Sequence, residues 1–316
     1  SVLGLTEIGA VRATNDMAEV GMNAANVRAE VVINPESELI PVTRANGVLL
    51  ALSAPQASAS SVITGTSALI QLDGWTWEEL TLKAPIGLHV VWPSGEVPPW
   101  LPAEVAEAAK KAVTEKQRGL RRAFEQARAY GVAEQAGTVA VPDLRLAAMQ
   151  PALKSEQAVF LHADDAVSIG AALDFAAEFK LRAVLVGGAE AWRLADRLRA
   201  QEVPVILGGT HVLPQRRFDA VDAIYAQAAK LKAAGVRFAI ASPGDSFDTS
   251  NLRNLPYQAA SAVAYGLGFE DALRAITLSP AEILGVADQV GSLDAGKLAT
   301  LVIADGDPLE ARTNVE

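Results

Sequence analysis

The second half of the chain alternates between two hydrophobic periods. QAVFLH (157–162), RAVLVGG (182–188), VPVILGG (203–209) and VRFAIAS (236–242) are short, almost uninterrupted apolar runs. Between and after them lie AVSIGAALDFAAEFK (166–180), AEAWRLADRLRAQ (189–201), FDAVDAIYAQAAKLKAAG (218–235) and LPYQAASAVAYGLG (255–268), where apolar residues recur every third or fourth position. The runs have the pattern of strands buried on both faces, and the stripes that of amphipathic helices. Strand, helix and strand in repetition predict parallel strands covered by helices. Gly235 and Gly268 stand where two of these helices stop, a position that favours a left-handed residue.

The first half is less regular. GVLLALSAP (47–55) and IGLHVVWP (86–93) read as strands, and SASSVITGTSALIQLDG (58–74) as an inserted loop and hairpin. Residues 103–131 predict one long, charged, alanine-rich helix, with KKAVTEKQRGLRRAFEQA as a solvated face. After FEDALRAITLSPAEILG the texture changes. VGSLDAGKLATLVIADGDPLE (290–310) has the short apolar runs and Gly/Asp turns of a β-hairpin. The expected division is a βα domain over 1–288 and a small β element over 289–316.

Composition narrows the functions. The 316 residues are 50% apolar, enough for one large domain, and no run of 18 apolar residues offers a membrane span. A net charge of −10 argues against nucleic acid or anionic lipid as a partner. There is no cysteine, which removes disulfides, thiolate metal sites and cysteine nucleophiles. The three histidines, His89, His162 and His211, restrict any metal chemistry.

His162 ends a strand, and Asp164 and Asp165 follow it directly. One aspartate is expected to cap the helix that starts near Ala166, and the other to face the pocket. His211 opens the loop after VILGG; it is either an acid/base group at the pocket or an exposed loop residue. His89, inside a strand, is expected to be a satisfied core histidine. The loop SPGDSFDTSNLRNLPY (242–257) brings Asp245, Arg253 and Asn254 to the same end. Arg253 could hold a substrate carboxylate through paired hydrogen bonds, or could fix the loop together with Asn254. Trp75, Trp77 and Trp92 either line the pocket or pack beneath it.

The run LPYQAASAVAYGLGFEDALRAITLSPAEILGVADQVGSLDAGKLATLVIADGDP resembles the C-terminal signature of the amidohydrolase superfamily, near its imidazolonepropionase-like and prolidase-like branch. NPESELIPVTRANGVLLAL and TGTSALIQLDGW resemble the region after that family's first barrel strand. The resemblance implies a TIM-like (β/α)8 barrel, with its site at the C-terminal ends of the strands and a small β-sandwich beside it. It also implies one or two divalent metals that activate a water. The ligands would be a His-x-His pair after strand one, often a carboxylated lysine after strand four, a His after each of strands five and six, and an Asp after strand eight.

His162 matches the ligand after strand five. Gly187 and Gly188 stand where the next His is expected, and Ser242 and Pro243 where the Asp is expected. Asp245 lies two residues further on, and 136–142 offers no lysine. His162 is thus the one matching ligand, against the three or so protein ligands a catalytic zinc needs. Two functions stay open. One is an enzyme that hydrolyses C–N bonds in small amides, cyclic amides or peptides at a metal-poor site using His162, His211 and Asp245, with Asp164, Asp165, Arg253 and Asn254 holding substrate. The other is a pseudoenzyme, a binding or structural subunit.

The resemblance further implies an upstream segment, on the same or a separate chain, that completes the barrel and the sandwich. Without it the apolar face of Leu293, Leu298, Leu301 and Ile303 would lack cover. A homo-oligomer is expected. The lack of cysteine and the family branch lean the location toward the bacterial envelope or periplasm.

Overall fold

The computed structural model describes residues 1–94 and 100–315. Its strands are β1 (Leu50–Ser53), β2 (Ile63–Thr66), β3 (Ala68–Gln71), β4 (Thr81–Lys83), β5 (Gly87–Val91), β6 (Ala158–Ala163), β7 (Ala183–Gly187), β8 (Val205–Leu207) and β9 (Phe238–Ile240). The helices are α1 (Leu39–Arg44), α2 (Trp77–Leu80), α3 (Ala103–Gln135), α4 (Leu144–Ala148), α5 (Gln150–Leu153), α6 (Ala166–Phe179), α7 (Ala195–Ala200), α8 (Gln227–Ala233), α9 (Leu255–Ala264), α10 (Phe269–Ile276) and α11 (Leu278–Leu284).

One sheet runs β2-β5-β6-β7-β8-β9; β2 is antiparallel to β5, and β5 through β9 are parallel. A smaller antiparallel sheet runs β1-β3-β4. Side chains alternate across the large sheet, as strand geometry requires. Leu88, Val90, Val159, Leu161, Leu185, Val205 and Leu207 face the helices. Ala158, Phe160, Val184, Val186 and Ile206 face inward and share a core with Leu50, Leu52 and Leu69 of the smaller sheet. Ser1 and Val2 link the end of β1 to the segment after β9. Ser1 N donates to Leu52 O (2.9 Å) and Ser1 O accepts from Ala54 N (2.8 Å), while Val2 N donates to Gly244 O (3.0 Å) beyond β9.

The helix layer is seamed by aromatic rings. Phe124 of α3 meets Phe175 and Phe179 of α6 edge-on or tilted at 4.9 and 5.3 Å, and Trp92 packs on Phe175. Burying each phenylalanine contributes about 2–3 kcal/mol. The charged first half of α3 is exposed as expected, but Leu120, Phe124 and Ala127 in its second half are core. Trp77 and Trp92 pack, whereas Trp75 is exposed.

Three expected elements differ. The segment 58–74 is not a hairpin: β2 pairs with β5 while β3 pairs with β1 and β4. Only Ser67 separates the two strands, too few residues for a two-residue turn, so the chain passes straight from one sheet into the other. The helix expected over 218–235 is confined to Gln227–Ala233. Ion pairs at Arg216 and Asp219 hold the preceding stretch in turns. Residues 290–310 form no strand; a single bridge, Ala304 to Val315, is all the β pairing there. Leu293, Leu298, Leu301 and Ile303 are exposed, so the apolar residues of this segment join no core.

Candidate active site

Parallel strands β5 to β9 all end on one face, so the residues that follow them gather there. Among inward-facing positions, β5 supplies His89 and β6 supplies Phe160 and His162. His89 Nδ1 and His162 Nε2 share a hydrogen bond of 2.8 Å, joining residues 73 positions apart. The His89 ring stacks flat on Phe160, with centroids 4.7 Å apart and planes 4° apart. His89 is buried and its Nε2 has no partner. Whichever ring donates, that nitrogen is left without one, so His89 is only half satisfied. Burial, the His162 ring and the Ser1 amine push the His89 pKa well below its usual value. Burial, then the same amine, lowers that of His162 to about 4. Both rings are therefore neutral at pH 7.

This corrects the reading of His89 as a satisfied core residue. It also relocates the position looked for in 136–142. That stretch is not a strand; the strand beside β6 is β5, and its inward side chain is His89. The partnership was hidden in the sequence because it spans two strands separated by the whole of α3.

Asp165 takes the capping role expected of one of the two aspartates. Asp165 caps α6, its Oδ1 accepting from Ser168 N at 2.8 Å. Asp164 leans toward Gly187 at the end of β7. Its Oδ1 accepts from Ala189 N at 3.3 Å, and desolvation of the carboxyl raises its pKa. Gly187 has φ of +91°, and a Cβ there would lie 2.5 Å from Asp164 Oδ1. The aspartate thus occupies the room a side chain after β7 would need.

The other candidates make no hydrogen bond to the histidine pair among the described residues. His211 is exposed and is held on α9: Gln258 Nε2 lies 3.2 Å from His211 Nδ1, and His211 Nε2 lies 2.6 Å from Ser261 Oγ. Gln258 can only donate from Nε2, so His211 Nδ1 accepts and Nε2 carries the proton. Ser261 in turn donates to Tyr257 O. His211 is therefore a donor in a closed chain, the wrong tautomer to activate Ser261. Asp245 does not reach back; its Oδ1 accepts from Phe247 N and Asp248 N in an exposed turn. Arg253 is exposed, and Asn46 binds only its backbone carbonyl, at 2.7 Å. Asn254 precedes α9 without a side-chain cap.

The sequence reading missed Glu190, in the loop after β7. It is almost completely buried, receives both Nε and Nη2 of Arg216, and accepts from Ala166 N at 2.8 Å. Hydrogen bonding to Arg216 holds its carboxyl below the usual range. Its only sequence signal was an acidic residue two positions after a glycine pair.

The donor set does not fit a catalytic metal. Among the described residues no three His, Asp or Glu side chains converge. The two candidate imidazoles direct nitrogens at each other rather than at a common point, and Asp164 fills the space beside Gly187.

Residues 105–316 match the amidohydrolase family. The chain belongs to that family. An amidohydrolase from Thermotoga maritima superposes with a TM-score of 0.84 at 28% identity, covering 100% of this chain and 82% of that one. The family fold is TIM-barrel-type, consistent with the parallel β5–β9 sheet and its helical cover. The imidazolonepropionase of Acidiphilium cryptum is 34% identical over 157 residues, 48% of this chain and 37% of the relative. That of Rhizobium meliloti is 33% identical over 149 residues, 46% of this chain and 34% of the relative. The aligned part is thus little more than a third of either curated relative's length. No helix among the described residues is long and apolar enough to cross a membrane.

Proposed function

We propose that this amidohydrolase-family chain acts on C–N bonds of small amides, cyclic amides or peptides, at a metal-poor site centred on His89 and His162. One observation carries the reading. Two neutral imidazoles share a 2.8 Å hydrogen bond on the inward side of adjacent strands, at the strand ends where the family acts. Such a pair can accept a proton from a water attacking a carbonyl carbon and return one to the departing nitrogen as the C–N bond breaks. Asp164, two residues after His162 and with its pKa raised by burial, would serve the same site as a hydrogen-bonding group.

A second reading, a binding or structural subunit without turnover, is favoured by Gly187 and Pro243 in ligand positions. It is favoured also by the lowered pKa of His162, since a base works best near the operating pH. With either reading goes a covering β element over Leu293, Leu298, Leu301 and Ile303, and a division near residue 288. The test is a hydrolysis panel of lactams, small amides and dipeptides, run with elemental analysis of the purified protein. Turnover that survives chelation and disappears in His162→Ala supports the first reading. No turnover across the panel leaves the second. Stoichiometric zinc with chelator-sensitive turnover would overturn the metal-poor site.

A further inference from the structure

The loop after β8 is long, and an unusual knot holds it. Residues 208–226 contain no helix or strand, yet lie on the face where the site opens. Leu213, Phe218 and Val221 in this loop are exposed. Near its midpoint stands Arg216. Its guanidinium meets Glu190 in the loop after β7, with Nη2 2.9 Å from Oε2. The same Oε2 accepts from Ala166 N at 2.8 Å, at the start of α6 after β6. Arg193 Nε stands 3.5 Å from Glu190 Oε1 and also pairs with Asp219 further along the loop. Glu190 N donates to Asp164 O at 2.8 Å. One carboxylate thus ties together the segments that follow three consecutive strands. The reach from β8 to β6 is two strand spacings, about 10 Å.

We propose that Glu190 is the positioning residue of the mouth. Through Arg216 and Arg193 it fixes the 208–226 loop across the ends of β7 and β6, and so sets access to the His89–His162 pair. Glu190 N also holds the Asp164 carbonyl, beside the Asp164–Gly187 contact where the family would place a ligand. A buried carboxylate this fully matched by donors acts as a rigid pin, because releasing the loop would strand its charge. The inference holds whether the site hydrolyses or only binds.

Hydrogen exchange on the full chain tests it, comparing wild type with Glu190→Ala, Glu190→Gln and Arg216→Ala, alongside carbethoxylation of His162 by diethyl pyrocarbonate. Glu190→Ala and Arg216→Ala should raise exchange in 208–226 at least tenfold and speed modification of His162, with β5–β7 amides unchanged. Glu190→Gln should fall between, since its amide oxygen still accepts from Ala166 N. Arg216→Ala removes the outer partner and leaves Glu190 its contacts to Ala166 and Arg193, so it serves if Glu190→Ala does not fold. Unchanged exchange in 208–226, or a uniform rise along the whole chain, would overturn the proposal.

Discussion

The mouth of this molecule handles two buried polar groups in opposite ways. Glu190 stays charged, and the chain surrounds it with a guanidinium fork, a second arginine and a helix N–H. His89 and His162 stay neutral and share one hydrogen bond, leaving one nitrogen without a partner. A buried charge is tolerable only with several donors, whereas an imidazole can give up its charge at neutral pH. The charged knot should therefore resist acid and respond strongly to loss of the carboxylate. The neutral pair should tolerate conservative substitution and respond to acid.

The largest effect is expected at Glu190. Replacing it with Ala removes the carboxylate that Arg193 and Arg216 share, leaving Asp219 beside Arg193, and should cost about 3 kcal/mol of stability in denaturant unfolding. Arg193 and Arg216 are each about 30% exposed, at 28% and 32%, which keeps the loss below that of a fully buried pair. A change under 0.5 kcal/mol would place the knot with ordinary surface ion pairs and erase the contrast.

Acid comes next. The folded-state pKa of His162 lies below the ordinary 6.5, so as pH falls the unfolded chain binds the proton first. Its contribution is intact above pH 6.5 and disappears as pH falls toward 4. His89, shifted the same way, adds to it, while the raised pKa of Asp164 opposes it. The net loss between pH 7 and 4.5 should be about 2 kcal/mol. In His89→Phe, which keeps the ring stack on Phe160, the pH slope should flatten. An equal slope in that variant would mean other carboxylates control the acid limb.

How much of this could be read from the sequence follows the range of the interactions. The β6 and β7 runs, AVFLHA and AVLVG, were legible because strands buried on both faces are apolar at every position. The Asp165 cap was legible because its partner is three residues away. The His89–His162 bond joins residues 73 apart, and the Glu190–Arg216 pair residues 26 apart across separate loops. Neither leaves a local pattern. In 290–310 the local pattern for β structure is present, but its apolar residues stay exposed and its pairing is a single bridge, Ala304 to Val315. The helix over 218–226 failed for the converse reason: Arg216 and Asp219 are held by tertiary ion pairs that local propensity does not see.

A smaller effect is expected at Gly187, where the neutral and charged regions meet. Gly187→Ala meets both a positive φ and the Asp164 carboxylate, and should cost about 1–2 kcal/mol. Adding Asp164→Ala removes the clash but not the backbone strain, so the double variant should recover only part of the loss. Full recovery would show that the aspartate alone keeps the position empty.

The smallest effect is expected at Arg253, which is exposed and, unlike Arg193 and Arg216, offers its guanidinium to no partner among the described residues. Asn46 holds the backbone carbonyl, so truncating the side chain leaves the loop anchored. Arg253→Ala should therefore change stability by less than about 0.5 kcal/mol. An uncommitted guanidinium is free to bind a ligand carboxylate, which the committed arginines are not. Titrating small N-acyl amino acids against wild type and Arg253→Ala separates the outcomes. At least tenfold weaker binding with unchanged stability would identify Arg253 as the carboxylate contact. Equal binding would return it to the surface, leaving the neutral histidine pair to recognise ligand without help from charge.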